Sequence, residues 1–327
     1  MKKNPLLSII IPTRNNEDRL DFLLKLLNNQ SYKNLEIIIS DAFSTDGTRK
    51  IAIKYKTILI DNPKLMAEPG VSAGMNKASG DLIMILAVDN YFYNSYDLEK
   101  IVSVFEDNNI YAAFPKHESK NNYSLYSKYI NSFTDPFNHF IYGYAANART
   151  FHRIYLTKEN NKLYDIYDYS SNSTKPMLAF AQGFTVRKGF SRTKDDELDD
   201  ITPIIKLIEE RKDIAYVKGV CLFHDTIRDM NHFIRKMEWA AANALEKKNY
   251  GITKRQNMLT SFQLRKILFL LYAFSVLAPI IVSLYFSIKD RQIIWLFHPF
   301  ITLLTAGAIT KQLLFRALGF TGAVSRI

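Results

Sequence analysis

Three polar clusters interrupt apolar runs in the first 90 residues: Thr13-Arg14-Asn15 after Pro12, then Asp41, then Asp89-Asn90. Ionised carboxylates accept hydrogen bonds from N–H groups and hold hard cations, and a guanidinium pairs with anionic oxygens. Together they make a candidate binding site. Two later features can also do chemistry. An acidic run, Lys194-Asp195-Asp196-Glu197-Leu198-Asp199-Asp200, precedes a helical pattern, and His224 closes an apolar run. Taken alone, the acidic run reads as a solvated loop favouring a helix N-terminus, and a single histidine at a strand end is incidental.

The elements that must position these residues are legible from periodicity. Residues 6–11 (LLSIII) read as a buried strand stopping at Pro12, and Leu20, Leu23, Leu24 and Leu27 recur at helical spacing with Asn15 or Asn16 as N-cap. Residues 35–40 form a second strand ending at Asp41, Asp46-Gly47-Thr48 opens another helix with Asp46 as its cap, and 57–60 make a third strand. Gly70 to Ala78 reads as a turn and short helix, and 82–88 (LIMILAV) as a strand buried on both faces. This β-α-β-α-β order predicts an α/β, doubly wound, mostly parallel sheet with right-handed crossovers. Ligands bind such sheets beyond the carboxyl ends of the strands, where all three polar clusters fall. Residues 115–176 show little periodicity and read as a long excursion with some helix, a lid over an acceptor. Pattern returns as a strand at 178–187, a helix at 199–211, a strand at 214–223 and a basic helix at 229–249.

Composition divides the chain. Its 327 residues are 47% hydrophobic and 23% charged, with a net charge of +11 and the single cysteine Cys221. Disorder and an intrachain disulfide are excluded. Residues 267–288 and 292–310 carry no Asp, Glu, Lys or Arg. At about 1.5 Å per residue they reach about 33 and 28 Å, so both are expected to cross a membrane as a hairpin, the second kinked at His298-Pro299. Between Arg228 and Lys266 nine basic and three acidic residues leave a net +6 beside the first run. That places the N-terminal domain on the cytoplasmic face against anionic lipid, and makes nucleic acid an unfavoured partner. No signal peptide is read at the N-terminus. The expected domains are 1–225, divided at residue 90 into a donor half and an acceptor half, then a basic interfacial segment 226–266, the hairpin 267–315 and a tail 316–327.

With these residues in hand, three segments become specific. SIIIPTRNNEDRL, QSYKNLEIIISDAFSTDGTRKI and EPGVSAGMNKASGDLIMILAVDN, in that order, resemble the nucleotide-sugar-binding half of inverting glycosyltransferase family 2, which has the GT-A fold. Asp41-x-x-Ser44-x-Asp46-Gly47-Thr48 carries most of the resemblance, followed by the run from Gly74 to Asp81. The likeness continues more faintly to His224, and the C-terminal apolar pair is similar to membrane-attached members.

The resemblance implies a hexosyltransferase with a nucleotide-sugar donor. It assigns donor contacts to Pro12, Thr13, Arg14, Asn15, Asp41, Asn76, Lys77 and Asp89, with Asp41 on the base. It places a divalent Mg²⁺ or Mn²⁺ on Asp89 and His224, where it neutralises the departing diphosphate. The family usually ends this strand in Asp-x-Asp, but here Ala87 replaces the first carboxylate, which puts metal affinity and the ribose contact in question. The general base of an inverting transfer aligns with Asp199-Asp200, with Asp200 as base and Asp196 in reserve. The Gln-x-x-Arg-Trp of processive synthases is absent, since Arg235-Lys236-Met237-Glu238-Trp239 keeps only the tryptophan. A single transfer to a lipid-linked polyprenyl acceptor at the cytoplasmic face is therefore expected. The alternatives are a polyprenyl-phosphate sugar synthase and a catalytically weak nucleotide-binding scaffold. Donor base, sugar, acceptor identity and oligomeric state stay open.

Overall fold

The computed structural model describes residues 4–176, 183–190, 201–245 and 261–320. They fall into two compact units, one of residues 1–118 with 154–224, the other of 119–153 with 225–327.

The first unit is a mixed sheet with flanking helices. Its strands are β1 (Leu7–Thr13), β2 (Leu35–Asp41), β3 (Ile58–Asp61), β4 (Leu82–Ile85), β5 (Asn90–Tyr91), β6 (Ile110–Glu118), β7 (Leu156–Asn160), β8 (Tyr164–Asp168), β9 (Thr185–Arg187) and β10 (Asp213–His224). They run in the order β3-β2-β1-β4-β9-β6-β10-β8-β7, with β5 on β10. The doubly wound expectation holds for β3, β2, β1 and β4, which are parallel neighbours. Beyond β4 the mostly parallel expectation is corrected. β9 enters antiparallel between β4 and β6, and β10 is parallel to β6 but antiparallel to β5 and β8. Strand direction is set by the connections, which hydropathy does not encode.

The apolar pattern is realised where it was read. Helix α1 (Glu17–Asn28) buries Leu20, Leu23, Leu24 and Leu27 against the fully buried Leu7, Ile9 and Ile11 of β1. Three further helices in this half are α2 (Thr48–Lys54), α3 (Ala67–Lys77) and α4 (Asp97–Ser103). Helix α3 runs antiparallel to β1, as glycine packing shows. A Cβ on Gly70 would touch Pro12 at 3.1 Å, on Gly74 would meet Ile10 at 2.4 Å, and on Gly80, just past the helix, would meet Ser8 at 2.5 Å.

The second unit is helical: α5 (Leu125–Phe133), α6 (Pro136–Tyr142), α8 (Met230–Leu245), α9 (Phe262–Phe274), α10 (Leu277–Lys289) and α11 (His298–Ala317). Helix α7 (Thr202–Glu209) belongs to the first unit. The stretch 115–176, read as one excursion, is thus divided between the units, with α5 and α6 alongside the C-terminal helices. Trp295, fully buried, lies stacked on Phe133 at 3.8 Å and on Phe286 at 4.9 Å. The two-span hairpin is met in part. Among the described residues Ile293–Ala317 is one helix long and apolar enough to cross a membrane, whereas the apolar run 267–288 is broken into α9 and α10, bent by 95°, and makes a second span only if that bent pair acts as one. Val276 at the break has φ +58, a left-handed conformation that stops the first helix.

Candidate active site

The carboxyl ends of β1 and β2 are fixed to each other by their own loops. Asn15, with φ +50, donates its N–H to Ser44 Oγ at 2.8 Å, and its side-chain oxygen accepts from Thr45 N–H at 2.8 Å. Asp46 accepts from Thr48 N–H at 3.0 Å and Glu17 N–H at 3.2 Å, while Glu17 accepts from Gly47 N–H at 2.6 Å. These crossed carboxylates satisfy orphan donors at the N-termini of both α1 and α2. Burial opposes ionisation of Asp46, but hydrogen bonds from Thr48 and Glu17 outweigh it and hold the carboxyl below its usual range. The N-cap of α2 is Gly47 rather than Asp46, and Asp46, one residue earlier, accepts the Thr48 N–H at the helix start.

Asp41 sits fully buried at the end of β2. Ser44 donates to it through both N–H and Oγ, and Arg49 donates from Nη1 at 2.9 Å while also reaching Asp61 at 2.8 Å. Both carboxylates, Asp61 foremost, hold the Arg49 guanidinium more firmly protonated. A carboxylate offers about four acceptor positions, so three donors leave capacity for one more N–H. One strand over, Thr13 is 7% exposed and its Oγ1 has no hydrogen-bond partner among the described residues. Pro12 beside it is half-buried, and Arg14 and Asn15 are exposed.

The second cluster lies past β4. Asp89 Oδ2 is 3.4 Å from His224 Nε2 and 3.9 Å from Arg19 Nη1, and Asn90 Nδ2 donates to Asp89 Oδ1 at 3.1 Å. The pairing of β5 with β10 sets His224 opposite Asn90, which brings the end of β10 to the loop after β4. His117 on β6 adds a second buried imidazole, its ring centroid 6.4 Å from that of His224. Arg19 and His117 carry no sequence signal. One is a helical arginine among other charged residues, the other a strand residue, and only the fold brings each to Asp89 or His224.

The predicted site residues are not all gathered. Pro12, Thr13, Arg14, Asn15 and Asp41 share the carboxyl edge of β1 and β2, and Asp89 and His224 form a pair. Asn76 and Lys77 are separated from them. They end α3, which descends antiparallel to β1, so they lie toward the amino ends of the strands. Asp196, Asp199 and Asp200 lie outside the described residues. Asp89 and His224 present one carboxylate and one imidazole, a donor set that suits Mg²⁺ or Mn²⁺ when phosphate oxygens and water complete the shell. Among the described residues no group of three or more His, Cys, Asp or Glu side chains is placed to hold a metal ion alone.

Known proteins are similar to this chain in sequence and in fold. A GalNAc(5)-diNAcBac-PP-undecaprenol beta-1,3-glucosyltransferase of Campylobacter jejuni is 35% identical over 95 residues, 26% of this chain and 30% of that protein. A UDP-Glc:alpha-D-GlcNAc-diphosphoundecaprenol beta-1,3-glucosyltransferase of Escherichia coli is 28% identical over 129 residues, 38% of this chain and 51% of that protein. The chain thus spans about half or less of the length of these curated relatives. A solved mannosyltransferase of Pyrobaculum calidifontis, in complex with GDP-Man and Mn²⁺, superposes with a TM-score of 0.51 at 14% identity, covering 94% of this chain and 88% of that one. That likeness establishes the GT-A type of fold. The model of the family described as Glycosyl transferase family 2 matches residues 8–171, about half of the chain and all of the laced β1–β2 edge. The chain belongs to glycosyl transferase family 2.

Proposed function

We propose that the chain transfers one hexose from a nucleotide-sugar donor to a lipid-linked, polyprenyl-type acceptor at the cytoplasmic face of a membrane. The observation that carries this reading is the Asp89–His224 pair, set beyond β4 in a chain whose neighbouring strand ends hold Thr13 and Asp41. Asp41 has acceptor capacity for a base N–H, and the buried Thr13 hydroxyl supplies a second polar contact. A divalent cation held by Asp89 and His224 would supply positive charge to the departing diphosphate. Arg19, 3.9 Å from Asp89, adds a cation on the same side. The general base we assign to Asp200, with Asp199 beside it; it would take the acceptor hydroxyl proton as that oxygen attacks the anomeric carbon.

The lipid-linked acceptor is supported by the printed activities of the Campylobacter and Escherichia relatives, both of which act on undecaprenol-linked sugars. A membrane location is supported by the apolar C-terminal stretches and the basic segment before them. The test is a donor panel assayed with Mn²⁺ and a polyprenyl diphosphate-linked acceptor. Wild type should transfer sugar from at least one donor, and Asp200→Asn should lose about 10²- to 10⁴-fold in turnover while still binding nucleotide. Equal activity of the two proteins would remove Asp200 from the mechanism. Transfer by neither would sink the enzymatic reading.

A further inference from the structure

We propose that the C-terminal helices are a monotopic wedge that enters one lipid leaflet and returns to the side of the catalytic sheet. This rests on the membrane part of the reading above and departs from a two-span hairpin.

The turn after α10 carries the argument. If α9 and α10 carried the chain across a bilayer, residues 290–292 would emerge on the far side. Instead Asp290 is 6% exposed, is ion-paired with Arg153, and accepts hydrogen bonds from Tyr144 Oη at 2.9 Å and Trp295 Nε1 at 3.0 Å. Arg153 is three residues from Leu156, the first residue of β7. Three residues reach about 10 Å at most, too little to cross about 30 Å of hydrocarbon. The turn and the sheet must therefore share a side.

Lengths agree. α9 and α10 have 13 residues each, about 20 Å apiece, and their 95° bend prevents them from acting as one rod. α11 is long enough to span, but it lies along α8 and Lys311 pairs with Glu238 of that helix at 2.8 Å. A spanning α11 would draw Glu238 and its helix into hydrocarbon along with it.

The occupant of the exposed face is lipid. Ile267, Leu271, Leu277, Ile281, Leu284 and Ile288 are between 52% and 79% exposed, an aliphatic surface on both arms of the bend. The net +6 segment directly before it matches anionic headgroups. The bend itself is fitted to an apolar medium. Ser275 Oγ donates to the Tyr272 carbonyl at 2.7 Å and accepts from Ala278 N–H at 3.3 Å, so backbone groups at the break are satisfied internally.

Accessibility of engineered thiols tests this in the full chain with Cys221 replaced by Ala. In right-side-out and inverted membrane vesicles from expressing cells, Arg291→Cys should react with a charged maleimide from the same side as Lys50→Cys on the catalytic unit. In phosphatidylglycerol–phosphatidylcholine vesicles, Ile281→Cys should lose the reactivity it shows in lipid-free solution. Ile293→Cys and Leu271→Cys repeat the two readings if either first variant misfolds. Labelling of Arg291→Cys from the opposite side restores the hairpin. Undiminished reactivity of Ile281→Cys with vesicles, or protection without them by a second copy, also overturns the wedge. None of these readouts depends on sugar transfer, so they fail or succeed separately from the proposed enzyme.

Discussion

Asp89 and His224 meet only because β10 returns antiparallel to β5, and their pairing predicts a shared role in holding the diphosphate through a cation. Asp89→Asn should abolish the Mn²⁺-dependent part of the thermal stabilisation that a nucleoside diphosphate gives the wild-type chain. That is measured as the difference in Tm with and without the metal. A second residue-scale expectation concerns Asp97, which is 2% exposed at the start of α4. Burial pushes its carboxyl up to about 6, against the opposing Asn94 N–H. The folded state therefore holds a proton between about pH 4 and 6 that the unfolded chain has released, and Asp97 destabilises the fold as pH rises through that window. Asp97→Asn should flatten the stability–pH curve there and raise stability at pH 7, by on the order of 2 kcal/mol, as read by urea unfolding at pH 4.5 and 7.

At the scale of elements, α3 lies against β1 through glycine at Gly70 and Gly74. Gly74→Ala would place a methyl 2.4 Å from the Ile10 side chain. The expected cost is about 1–3 kcal/mol of stability, seen as a lowered urea midpoint with an unchanged slope. Gly74 sits in a run that was legible as a motif, yet its packing role was not. The same gap runs through the fold. The leucines of α1 and the strands β1 to β4 could be read because apolar spacing tracks burial there. In α5 it does not, since Ser127, Asn131 and Ser132 are buried with Tyr129 and Phe133. Ser127 Oγ donates to the Ile227 carbonyl at 2.9 Å and Asn131 Nδ2 to Ser119 Oγ at 2.7 Å, so polar residues occupy core positions and erase the pattern. β9 contributes three residues whose direction no local signal states. Thr13, Asp41 and His224, read from strand ends and motif, do end β1, β2 and β10, and Asp89 lies in the loop after β4. Asn76 and Lys77 lie apart from them, because a motif in sequence says nothing of which way its helix runs.

For the whole molecule, charge and apolar surface are concentrated toward the C-terminal part of the chain. Association with anionic vesicles should therefore weaken steeply between low and high salt, at about 1 kcal/mol per basic residue engaged, and fall short of zero where the aliphatic face persists. Cosedimentation at two ionic strengths reads both contributions. A final consequence comes from the reciprocal bonds that join the loops after β1 and β2. With Asn15, Glu17, Ser44 and Asp46 already holding one another, that rim behaves as a rigid anvil, and a nucleotide arriving there has no slack to take up. Its binding should be governed by how fast it leaves, with heat released on contact and little entropy lost from the chain.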